Sequence, residues 1–88
     1  MKDKILIRKV KTMHEKIIFK RIIAELITDA KENTKAFRSA TDKDDKLFLS
    51  GKQLAYYEVL LTIHNRLVSA DEELKDYGLD ICLEKEIL

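Results

Sequence analysis

Apolar side chains recur along residues 13–37 with the period of an α-helix. Wound at about 100° per residue, Phe19, Ile22, Ile23, Leu26, Ile27, Ala30 and Phe37 gather on one side, and His14, Arg21, Glu25, Thr28 and Glu32 on the other. Thr12 followed by Glu15 has the spacing of a capping box, in which hydroxyl and carboxylate satisfy backbone N–H groups that a first turn leaves free. These signals predict a first helix over 13–37. Leu6, Ile7 and Val10 fall out of phase with it, so residues 4–10 read as a separate segment. Their β-branched content permits a short strand, and residues 80–85 are its partner in a minor two-stranded β element.

A polar stretch over 38–46 reads as a connection. After it, Ser50-Gly51-Lys52-Gln53 forms a second capping box, flanked by Leu49 and Leu54 at the positions of a hydrophobic staple, and predicts a second helix over 51–77. Its apolar residues form two seams. Tyr56, Leu60, Ile63, Leu67 and Leu74 make one; Leu54, Tyr57, Leu61 and Val68 make the other. Together they cover roughly 200° of the wheel, about twice what one core contact requires. Asp71 falls inside that arc, which predicts a bend, an end or a restart there, with Ser69 and Glu72 spaced as another capping box. Gly78 is a left-handed terminator, and Leu79 is placed for the hydrophobic contact that accompanies one.

The pattern predicts an all-α fold: an antiparallel helical hairpin with short terminal segments, forming one domain over 1–88. The surplus seam, Leu54, Tyr57, Leu61, His64 and Val68, is the expected interface with a second copy, giving a homodimer assembled as a helical bundle.

Composition agrees with this picture. Of 88 residues, 45% are hydrophobic and 38% charged, with no Pro and two Gly, which suits uninterrupted helices around a core. A domain of this size hides only about 60–65% of its unfolded surface, so further burial must come from helix packing or an oligomer. Cys82 is the single cysteine; it excludes an internal disulfide and fits a reducing compartment. The amino-terminal stretch has three consecutive apolar residues, too few for a secretory signal. No apolar run approaches the roughly 18–20 residues that span a bilayer, so a cytoplasmic protein is expected.

A net charge of +1 conceals two poles. Residues 1–21 carry eight Lys/Arg against Asp3 and Glu15, while residues 71–88 carry seven acids against Lys75 and Lys85. An antiparallel hairpin sets these poles side by side, within one chain or between two. The basic pole also suggests nucleic acid, because Lys9, Lys16 and Lys20 align on one helical face. Against that reading, the acidic tail neutralises the chain and no aromatic side chain interleaves the basic residues before Phe19.

Candidate chemistry is sparse. His64 lies between the seams of the second helix, where a hydrogen-bonded histidine in a helix interface is the simpler reading and a ligand the sharper one. His14, His64 and Cys82 have no zinc-ligand spacing, Cys82 has no neighbouring base, and Asp44 and Asp45 read as loop solvation. No phosphate loop or nucleophile motif occurs. No catalytic, cofactor-binding or metal-binding residue is therefore expected. The expected function is a non-enzymatic helical protein-protein interaction module, a small regulator or adaptor. A nucleic-acid-associated accessory protein is the alternative, and a small enzyme with a site at a subunit interface is a third reading with no residue behind it.

Overall fold

The computed structural model describes the backbone of residues 2–88 and the side chains of residues 14–88. Its elements are α1 (Lys2–Ser39), α2 (Lys43–Ser69), one 3₁₀ turn (Leu74–Tyr77) and a short α3 (Leu83–Glu86). The two long helices pack antiparallel as the sequence predicts, and no strand occurs among the described residues.

Three boundaries differ from the sequence reading by more than two residues, each for a physical reason. Helix α1 runs unbroken from Lys2, not from residue 13, and takes in the 4–10 segment expected as a strand. The phase of apolar residues reports which face is covered, whereas helix continuation needs no Pro or Gly to break it and enough helix formers to offset the β-branched residues, which Lys2, Lys4, Leu6, Arg8, Lys9 and Lys11 supply. Helix α2 begins at Lys43, not at residue 51. Its N-cap is Asp42, whose carboxylate accepts from the Asp45 N–H at 3.1 Å, with Asp44 and Asp45 placed favourably against the positive end of the helix dipole. Ser50 and Gly51 therefore lie inside the helix, and the connection shrinks to Ala40, Thr41 and Asp42.

Helix α2 also ends at Ser69 rather than continuing to 77. Asp71 takes the left-handed conformation (φ 56°), the Asp71 N–H bonds the Val68 carbonyl at 3.1 Å, and the Glu72 N–H bonds the Leu67 carbonyl at 2.9 Å. This is a Schellman closure with aspartate in the position glycine usually holds. The same closure repeats after the 3₁₀ turn. Gly78 (φ 72°) donates to the Lys75 carbonyl and Leu79 to that of Leu74, as Gly78 and Leu79 predict. Two successive closures fold the chain back over the hairpin.

That return builds the core. Ile23 and Ala30 of α1 and Leu60 and Leu67 of α2 are buried with Tyr77, Leu79, Leu83 and Ile87, all four of which follow the end of α2. At roughly 1.5–3 kcal/mol for a fully buried large apolar side chain, the C-terminal segment does the work of a third helix. It lies on one side of the hairpin, beside Ala24 and Ile27 of α1 and Tyr57 of α2.

Candidate functional site

The hairpin presents two sides with different chemistry. On the side that carries the C-terminal segment, polar groups hold the segment down. Thr34 of α1 donates its hydroxyl hydrogen to the Ile87 carbonyl, and Gln53 of α2 donates to the same carbonyl at 2.9 Å and to that of Leu88 at 3.1 Å. Both side chains are buried. A carbonyl beyond the last turn of a helix lacks an intrahelical donor, so one donor from each long helix meets that need. Asn33, also buried, donates to the Leu49 carbonyl at 3.0 Å and fixes the register of α1 against α2.

Further out on this side, the Tyr57 hydroxyl donates to Glu84 Oε1 at 2.7 Å, and the Cys82 thiol lies 3.5 Å from Glu84 Oε2. The tyrosine hydroxyl holds the Glu84 carboxyl below its ordinary range, aided by a backbone N–H and the thiol. In return, the bond to Glu84 pushes the Tyr57 hydroxyl up. This cluster fastens α3 to α2. Among the described residues no group of three His, Cys, Asp or Glu side chains converges as a metal site.

The five residues of the expected interface seam separate in their exposure. Tyr57 and Leu61 pack against the core cluster, and Tyr57 also bonds Glu84, so the chain's own C-terminal segment already occupies the seam at Tyr57. Leu54 and Val68 are 53% and 52% exposed. His64 is half-buried, with Nδ1 3.1 Å from Asn65 Oδ1 across adjacent residues, and is not enclosed in a helix interface.

The expected nucleic-acid contacts also resolve. Lys16 and Lys20 converge on the Tyr77 ring, with ammonium groups 5.8 and 5.6 Å from its centroid. Lys16 bonds Glu72 at 3.2 Å, which raises its pKa. The basic and acidic poles thus touch within one chain there, and Lys31, outside the basic pole, adds a second ion pair to the C-terminal segment where it meets Glu86 at 3.8 Å. The side chain of Lys9 lies outside the described residues. Burial pushes the Tyr77 hydroxyl up, and Phe19 packs edge-on against the Tyr77 ring at 6.0 Å.

The opposite side of the hairpin is apolar and open. A shallow groove of about 230 Å³ runs between the helices there, lined by Leu26, Lys52, Ala55, Tyr56 and Val59. Along its rims Ile18, Ile22 and Val59 are 45%, 49% and 47% exposed. Sequence reasoning assigned Ile22 to the core stripe and left Val59 out of both seams. Val59 lies only about 100° from Leu60 on the wheel, a neighbourhood that periodicity alone does not separate from the surface.

Comparison with known proteins finds no family model, no curated protein and no solved structure that matches this chain.

Proposed function

We propose that this chain is a non-enzymatic helical interaction module, a small regulator or adaptor that self-associates through exposed apolar surface on its hairpin. The observation that supports this reading is the open groove and its rims, where Ile22 and Val59 stand about half exposed along both long helices. Large apolar side chains grouped on one face of a small domain mark a surface used for binding. The remainder of the seam around Leu54 and Val68 is a second surface available for the same purpose. No membrane-spanning helix occurs among the described residues, and the unpaired Cys82 thiol suits the reducing cytoplasm in which we place the protein.

The polar cluster on the other side favours a binding role over catalysis. Tyr57, Cys82 and Glu84 satisfy one another, and their effect is to hold the C-terminal segment in place. For the nucleic-acid alternative, Lys16 and Lys20 are already drawn onto Tyr77 and Glu72.

Solution mass by size-exclusion chromatography with light scattering tests the proposal across a range of protein concentration. The expected result is a mass that rises from monomer to dimer. A monomer at every concentration would overturn self-association, and salt-sensitive capture of DNA or RNA by that monomer would install the alternative.

A further inference from the structure

The rims of the open groove carry a charge code that specifies how a second copy sits. On α1, Glu15, Ile22 and Asp29 follow one another at seven-residue intervals; on α2, so do Lys52, Val59 and Arg66. All six are exposed. Seven residues are close to two helical turns, so each triplet forms one line along its helix. The α1 line reads acid, apolar, acid. The α2 line reads base, apolar, base.

Two residues of each line border the open groove, and Glu15 and Arg66 continue the lines beyond one end of it. Ile22 and Asp29 lie one turn on either side of Leu26, which lines it, and Lys52 and Val59 line it directly. The hairpin register sets their heights. Asn33 bonds the Leu49 carbonyl, and Leu26 shares the groove with Tyr56. Counting from these contacts, Glu15, Ile22 and Asp29 lie level, to within a residue, with Arg66, Val59 and Lys52. Asp29, Lys52 and Arg66 make no ion pair among the described residues, and the Lys52 ammonium instead rests over the Phe48 ring at 5.7 Å.

Resting on the self-association proposed above, we infer that two copies pack open face to open face about a twofold axis running along the helices. Such an axis preserves height and sets α1 of each copy against α2 of the other. Ile22 then packs on the partner's Val59, while Asp29 meets the partner's Lys52 and Glu15 the partner's Arg66, each contact made twice. The competing twofold axis, perpendicular to the helices in the plane of the interface, would place α1 against α1 and α2 against α2. Acid would then oppose acid and base oppose base. Charge complementarity therefore selects the first arrangement, a four-helix bundle in which neighbouring helices are antiparallel.

The test is a charge-reversal cycle on the full chain, read as dimer dissociation constants by analytical ultracentrifugation, with circular dichroism confirming that each variant is folded. Lys52→Glu and Asp29→Lys should each weaken the homodimer by roughly tenfold or more, since each puts like charges in contact twice per dimer. An equimolar mixture of the two should recover dimer, because every contact then has opposite charges. Val59→Asp should abolish association, and Leu54→Asp should leave it intact. Failure of the wild-type chain to dimerise would overturn the self-association reading along with this one. A dimer indifferent to Val59→Asp and to both reversals, but lost with Leu54→Asp, would overturn this face alone. Recovery absent from the mixture would overturn the α1-to-α2 pairing.

Discussion

At Tyr57 one hydrogen bond links two titrating groups, so its contribution to stability is bounded in pH on both sides. The hydroxyl donates to Glu84 and lowers that carboxyl from its ordinary value of 4.5. A lowered acid stabilises the fold above its ordinary pKa, and that contribution is lost as pH falls through the folded value. Glu84 raises the Tyr57 hydroxyl above 10.0 in the same contact; the corresponding stabilisation is complete below 10.0 and is lost as pH rises through the folded value. Removing the hydroxyl with Tyr57→Phe should lower stability over the interval between those limits. Urea titrations across pH should show the wild-type advantage narrowing at both ends. An advantage that stays flat into strong acid would show that Glu84 does not accept this bond in solution. Neither end of the pair announces itself in the sequence, because 27 residues separate them and only the return of the C-terminal segment brings them together.

Helix boundaries show what local signals can and cannot decide. Gly78 ends its element as residue type leads one to expect, and Asp71, conspicuous in the sequence only as a polar residue inside an apolar arc, ends α2 in the same left-handed conformation. Ser50 has every local mark of an N-cap, but Asp42 starts α2 two turns earlier. The extra turns place Asn33 against the Leu49 carbonyl and leave Gln53, the expected partner in the Ser50 box, free to hold Ile87. Tertiary packing thus outweighs one cap, whose worth is only about 1 kcal/mol. The contrast predicts that Asp42→Ala costs about 1 kcal/mol of unfolding free energy, while Ser50→Ala is neutral or slightly stabilising, because alanine is the better residue inside a helix. Chemical denaturation of the two variants distinguishes the starts; the reverse ranking would place the cap at Ser50.

For the whole molecule, the hairpin and its antiparallel sense were legible from periodicity, and charge sums set the opposite poles side by side without deciding between one chain and two; the register of the helices was not legible, because it depends on where α2 begins. The placement of the C-terminal segment was not, since ten residues with Leu79, Ile81, Leu83 and Ile87 show no single period. What seats them is a match to features of two other elements: an apolar trough and two buried donors, Thr34 and Gln53, aimed at one carbonyl. The same placement hid the candidate interface, because the segment covers part of the seam that looked surplus and leaves the Ile22 and Val59 side open. Because this segment contributes Leu79, Leu83 and Ile87 to the buried cluster that it shares with both long helices, it should open only when the helices do. Native-state hydrogen exchange checks this. The Leu79 and Ile87 amides, bonded to the Leu74 and Leu83 carbonyls, should exchange with the same opening free energy as amides beside Leu60 in α2. They should also share its dependence on denaturant, since one cooperative opening exposes both. Exchange of the two tail amides at a much lower free energy, with little denaturant dependence, would show a strap that lifts from an intact hairpin. In that case Tyr57 would be transiently uncovered, and both sides of the hairpin would be available to a partner.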